Sequence, residues 1–262
     1  MLLNNTFNIK RFGILCRQNI THNYKLVLTS LIGFCGGLFI LLLSIQIAEG
    51  FQPPTLGRFA GLFIIVFIVS AIFCAGTAFP DLRSREKMHN YLMVPASVFE
   101  KFLMEFLGRI ILFILVIPLV YWVVYNLEGY FVSLLSPAFP FEGQRLEFPL
   151  FTFATDTANR RMEIFSLTGG LLIFVIPFTG ATIFSKNPLI KTLFATAVIF
   201  FFNLALVYFF VEILHFNRYH PTTPILLLRH LEDGLMASII ASVILNVGLI
   251  AAAYFKLKER EV

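Results

Sequence analysis

Six apolar runs in this chain carry no Asp, Glu, Lys, Arg or His near their middles. Ionisable side chains at such depth are costly in a bilayer and mark proton relays, ion paths and buried active sites. Their absence argues against a proton-coupled secondary transporter. It argues equally against an intramembrane protease, which needs a catalytic pair at depth. Charge is scarce throughout: Asp, Glu, Lys and Arg make up 13% of the residues, against about 25% in soluble domains. The chain lacks the GxxxxGK(S/T) pattern, so it has no phosphate-cradling loop of its own. Any ATP-driven work would need another polypeptide. The 3 cysteines, Cys16, Cys35 and Cys74, form no CxxC and no evident disulfide pair. No small-residue cleavage site follows the first apolar run, so the N-terminus is not read as a cleavable signal. Internal repeats, low-complexity tracts and linkers are also missing, so residues 1–262 read as a single membrane-embedded domain.

What is present is hydrophobic, at 58% of residues and a mean hydropathy of +0.84. A membrane-spanning helix needs about 20 apolar residues. Six stretches qualify: Leu26–Ala48, Phe59–Ala78, Phe102–Tyr125, Ile164–Phe184, Thr192–Leu214 and Leu235–Phe255. The expected fold is an all-α polytopic membrane protein with six transmembrane helices. Residues 1–25 mix Leu, Phe and Ile with Asn, Lys and Arg at roughly helical spacing, which fits an interfacial amphipathic helix at the N-terminus. The net charge of +5 matters less than its placement, and it does not point to nucleic acid. Fourteen of the 20 basic residues precede the first span, lie between the second and third or, as Arg109, just inside the third, join the fourth to the fifth, or follow the sixth. The positive-inside rule then puts both termini in the cytoplasm, and an even number of spans agrees. Trp122, Tyr121 and Tyr125 suit an aromatic belt at the outer end of the third span. The 32 Phe residues suit lipid-facing and helix-packing surfaces rather than a binding site.

Within the spans, Gly33 and Gly37 have the spacing that lets helices approach closely, and Gly57 and Gly61 repeat it. Pro118 and Pro177 are expected to kink the third and fourth spans. Gln46, Asn203 and Asn246 read as helix-to-helix hydrogen-bonding groups. Outside, residues 126–163 form a long, Pro-rich loop, and residues 215–234 form another that either dips into the bilayer or lies flat. Glu212, His215 and His220 are close enough in sequence to be weak metal-ligand candidates, though beyond the Glu212/His215 pair on one helix face the third and fourth ligands are not obvious, and an interfacial His/Glu pair is the commoner arrangement.

The one polar stretch between apolar ones is residues 79–101, between the second and third spans. It is basic and well punctuated. Asp81 can cap a short helix after Pro80, Pro95 breaks the chain, and Ser97 with Glu100 spells a capping box for the next helix. A docking element and a loop that merely fixes topology both fit these residues.

The run Leu92-Met93-Val94-Pro95-Ala96-Ser97-Val98-Phe99-Glu100-Lys101 resembles a signature in permease subunits of type-2 ATP-binding-cassette exporters, especially bacterial ones of the Bacteroides group. About 25 residues carry the match; the six spans, basic amphipathic start and inward termini match the wider pattern. The resemblance implies a coupling helix over residues 81–91, with Asp81, Arg83, Arg85, Glu86, Lys87 and Tyr91 as contacts to an ATPase subunit. Pro95, Ser97, Glu100 and Lys101 would shape the loop and the start of the third span. It further implies no catalysis in this chain, ATP and Mg bound by the partner ATPase, and a second permease copy or paralogue. The setting would be lipid of a bacterial inner membrane. The long segment 126–163 and the region around His220-Pro221 depart from that pattern. A non-transporting membrane scaffold with the same fold is the alternative. A membrane enzyme using Glu212, His215 and His220 is a third.

Overall fold

The computed structural model describes residues 7–50, 56–83, 96–135, 143, 157–209 and 231–261. The regular structure there is entirely helical: α1 (Ile9–Ala48), α2 (Leu56–Gly76), α3 (Val98–Ile111), α4 (Ile117–Leu135), α5 (Thr157–Ile183), α6 (Pro188–Tyr208) and α7 (Leu231–Glu261). A single 3-10 turn, Pro80–Arg83, follows α2, and a wide π turn, Leu112–Val116, joins α3 to α4. Counting α3 through α4 as one span, six helical stretches are long and apolar enough to cross a membrane. The protein is an all-α, multi-pass membrane protein.

Two spans outrun the expected ones. α1 has 40 residues, which at a rise of about 1.5 Å each is roughly twice the 30 Å hydrocarbon thickness. Residues 9–25 are helical as expected, but they run on into the span, because no Pro or Gly interrupts the chain between Gly13 and Gly33. The third span continues through Asn126–Leu135 before the first downstream proline, Pro137. That stretch was expected to be loop. The helix therefore runs on past Trp122 and Tyr125, where an aromatic belt was expected to end it.

Pro118 has no N–H for residue 114 and its ring crowds that carbonyl. The chain meets it with the π turn, in which the Ile117 N–H donates to Leu112 O, five residues back. α5 continues past Pro177 to Ile183.

The chain forms two compact units: Met1–Cys74 with Leu92–Thr152, and Ala75–Tyr91 with Phe153–Val262. The first is built on aromatic rings. Phe59, Phe63 and Phe67 recur every fourth residue on one face of α2 and are all buried. Phe59 meets Tyr121 at 5.3 Å and Tyr125 at 4.8 Å between ring centroids, and Phe67 meets Phe113 at 4.2 Å. Tyr121 is fully buried and its hydroxyl donates to Phe59 O at 3.1 Å. Tyr121→Phe keeps the ring and removes only that bond. A loss of about 1 kcal/mol is expected from thermal unfolding in detergent, and an unchanged midpoint would show that the bond contributes nothing.

In the second unit α5 packs on α6 and α7. The Asn246 side-chain amide donates to Thr168 O at 3.1 Å, and the Thr179 hydroxyl lies 3.2 Å from Leu249 O, both ties from α5 to α7. Asn203 instead donates to Ile199 O within its own helix. No other described part of the chain comes within 4 Å of where a side chain would start at Gly33, Gly37 or Gly61. The expected close approach at Gly33 and Gly37 is thus not made by any described helix.

Candidate functional site: the two roots of the polar loop

The loop from α2 to α3 leaves one unit and re-enters the other, with the division between Tyr91 and Leu92. Residues 84–95 lie outside the described ones, and with them Arg85, Glu86, Lys87, Tyr91 and Pro95. Glu212, His215 and His220 also lie outside. The two roots are described, and each is held differently.

The first root follows Gly76. Phe79 adopts a left-handed backbone (φ 52°), which costs a non-glycine residue on the order of 1–2 kcal/mol. Its ring is buried and packs on Phe178 at 5.4 Å, which offsets that cost. Proline then fixes φ for the turn Pro80–Arg83, closed by the Leu82 N–H to Phe79 O at 3.2 Å. Asp81 thus stands in the first positions of a 3-10 turn, rather than capping an α-helix from outside. Leu82 is buried while Asp81 is partly and Arg83 largely exposed. Arg83 folds back to donate to Gly76 O at 3.2 Å and Ala78 O at 3.5 Å. It borders a groove of about 450 Å³ with Asn187 and Pro188 at the start of α6. Lysines 186 and 191 flank that helix start, so this root is basic.

The second root is the capping box, formed in full. The Ser97 hydroxyl accepts from the Glu100 N–H at 3.2 Å, and Glu100 Oε2 accepts from the Ser97 N–H at 2.9 Å. Glu100 does more than the box requires. Its Oε1 accepts from the Asn8 N–H at 2.8 Å and from Arg11 Nη2 at 2.8 Å, while Arg11 Nε donates to Oε2 at 2.9 Å. A fork of this kind is the strong, directional form of an ion pair. The Glu100 side chain is fully buried and that of Arg11 is 28% exposed. The Phe7 ring meets Phe99 edge-on at 6.0 Å beside this node. One carboxylate therefore closes the start of α3 and fastens the start of α1 to it. Lys101 is also buried, at 2% exposure.

A third tie lies one level deeper in the same unit. Arg109 Nη1 donates to Cys74 O at 3.0 Å, and the Cys74 thiol donates to Arg109 O at 3.6 Å. Glu105, one turn before Arg109, pairs with it at 3.4 Å. The end of α2 and the body of α3 are thereby cross-tied just inside the loop.

The capping box was legible in sequence; the Arg11 and Asn8 contacts were not. Their separation of 89 and 92 residues leaves no local signal. The described residues hold no cluster of three His, Cys, Asp or Glu side chains able to take a metal ion. No family model, no curated protein and no solved structure matches this chain.

Proposed function

We propose that the chain is the membrane-spanning permease subunit of a bacterial ATP-binding-cassette exporter. It lies in the inner membrane with both termini cytoplasmic, pairs with a second permease copy or paralogue, and takes its driving force from a separate ATPase that binds ATP and Mg. The observation that carries this reading is the pair of anchored roots. A basic loop fixed to one compact unit through Phe79–Arg83 and to the other through Ser97–Glu100–Arg11 suits a lever. Force applied to residues 84–95 would reach both units without any bond-making chemistry in this chain. Arg85, Glu86, Lys87 and Tyr91 would supply the ATPase contacts.

Affinity purification from native membranes should bring an ATPase with the chain. The pair Arg85→Glu with Lys87→Glu is expected to cut the ATPase recovered, or its turnover in the complex, by at least tenfold. Unchanged recovery and unchanged turnover would overturn the coupling role. Recovery of an ATPase whose turnover no transport substrate stimulates would favour the scaffold reading. That reading draws on the mid-span amides of Asn203 and Asn246, whose NH2 groups donate to backbone carbonyls.

A further inference from the structure

The lever uses the node at the start of α1 and leaves the helical turns after it without a role. Those turns are polar, and their depth follows from the packing of their own compact unit. Three contacts tie residues 7–39 to the third span at one constant offset. The Phe7 ring meets Phe99, the Asn8 N–H meets Glu100, and the Phe39 ring meets Phe131, each pair 92 residues apart. α1 and the third span therefore run parallel and in register. The same offset sets Arg17 level with Arg109 and Lys25 level with Ile117. α2 packs antiparallel on the same span: Phe59 and Phe63 meet Tyr121, Phe67 meets Phe113, and Cys74 exchanges hydrogen bonds with Arg109. Arg17 thus stands level with the last turn of α2, and Lys25 level with its middle, between Phe63 and Phe67.

α2 fixes where the hydrocarbon lies. Its apolar stretch Arg58–Gly76 has 19 residues, which at a rise of about 1.5 Å each crosses a layer of about 30 Å with none to spare. Residues 17–25 of α1 then lie at hydrocarbon depth. Lys10, Arg17, Thr21 and Lys25 recur at helical spacing on one face with Gln18 beside them, and all five are exposed. The opposite face, with Phe12, Leu15 and Asn19, is half-buried. Among the described residues no carboxylate pairs with Arg17 or Lys25, whereas Arg11 has Glu100 and Arg109 has Glu105. Cations bare to acyl chains at this depth are costly, and the cost is relieved when headgroups and water are drawn in and the bilayer thins locally.

We infer that the exposed face of α1 over Arg17–Lys25 is a binding track for anionic phospholipids, which seat their phosphates on Arg17 and Lys25 below the ordinary bilayer surface. The apolar residues interleaved with the cations, Ile14, Ile20 and Leu28, are 69, 68 and 56% exposed and suit the acyl chains of the same lipids. Charge favours lipid over a second copy of the chain. Across a two-fold axis this face would meet its own basic image, and no Asp or Glu occurs before Glu49 to answer it. Lys and Arg clusters at a membrane attract anionic headgroups for the same electrostatic reason. This inference stands apart from the ATPase reading and survives if that reading fails.

The test uses the full chain in nanodiscs of equal phosphatidylglycerol and phosphatidylcholine, with no ATPase present. Thr21→Cys and Ile65→Cys place thiols at matching depth on α1 and on α2, where Ile65 is 61% exposed. A water-soluble, membrane-impermeant maleimide should label Thr21→Cys on the order of tenfold faster, because only that face is hydrated. Site-resolved mass spectrometry separates these thiols from Cys16, Cys35 and Cys74. Native mass spectrometry of the chain released from the discs should show phosphatidylglycerol retained in preference to phosphatidylcholine. Arg17→Gln with Lys25→Gln should lower that preference by about tenfold. Lys186→Gln with Lys258→Gln, which removes equal charge from the other compact unit, should leave most of it. Equal labelling of the two thiols overturns the inference, as does a disulfide between Thr21→Cys residues of two copies. Fast labelling with no preference for phosphatidylglycerol, or the same loss in both double variants, overturns it as well.

Discussion

Glu100→Ala is expected to lower the thermal midpoint of the purified protein further than any other single truncation at the loop. Three separate groups lose their acceptor at once. The Ser97 N–H loses its half of the capping box, the Asn8 N–H just before α1 loses its acceptor, and Arg11 loses both oxygens of its fork. Ser97→Ala removes only the other half of the box and should cost about 0.5–2 kcal/mol, typically near 1. Glu100→Ala should exceed that, because the buried Ser97 N–H and the part-buried Asn8 and Arg11 donors lose their acceptor together. Glu100→Gln should fall between the two: its carbonyl can still take one or two of these bonds, but not the charged fork. Trypsin adds a readout with spatial content. Residues Lys10, Arg11 and Arg17 lie in the first turns of α1, and Glu100→Ala should make cleavage there faster while Ser97→Ala leaves it near wild type. Equal midpoints and equal cleavage for the two variants would mean that α1 is held by something other than this node.

The same node marks how far the sequence could be read. Hydropathy located all six spans, since about 20 apolar residues have no cheaper place to go than a bilayer. Ser97 and Glu100 announced the start of α3 because a capping box is a local device, with both partners three residues apart. Arg11 could not be assigned to Glu100 by the same means. The basic residues before the first span satisfy the positive-inside rule wherever they point, so that rule hides a specific partner among generic ones. Helix ends were misplaced for a related reason. The aromatic belt at Trp122 and Tyr125 was read as the end of a span, yet Asn126–Leu135 contains nothing that stops a helix. That misplacement concealed Glu128. It falls in the segment 126–163 read as an external loop, whereas on α4 it is buried. The 3-10 turn at Pro80–Arg83 shows the opposite limit, in which a correct punctuation residue, Asp81, stands beside a proline that fixes a tighter turn than the one expected.

Gly180→Ala is expected to be the most damaging added methyl among the helical glycines whose surroundings are described. A Cβ at Gly180 would fall 2.6 Å from Thr192 Cγ2 and 2.7 Å from Thr192 Cβ, and in still closer contact with its hydroxyl oxygen. Turning Thr192 about χ1 moves the hydroxyl and methyl but not Cβ, so no rotamer removes the clash. The side chain is also fixed: Thr192 is 6% exposed and its hydroxyl donates to Pro188 O at 2.6 Å. The backbones of α5 and α6 must move apart, and overpacking of that kind typically costs about 1–3 kcal/mol, occasionally more. Gly169 on the same helix provides the contrast, with nothing within 4 Å of its added carbon. Gly169→Ala should be neutral or stabilising, since alanine is favoured over glycine in a helix interior by about 0.8–1 kcal/mol. Gly76→Ala should be mild, because its nearest neighbour is the flexible tip of Leu189 at 3.0 Å. Rescue follows the same geometry. Thr192→Gly should restore much of what Gly180→Ala loses, whereas Thr192→Ala keeps the offending Cβ and should restore less. Thermal midpoints of the three glycine single variants and the two Gly180/Thr192 doubles check the ordering; Gly180→Ala matching Gly169→Ala would mean that α5 and α6 do not meet at this point.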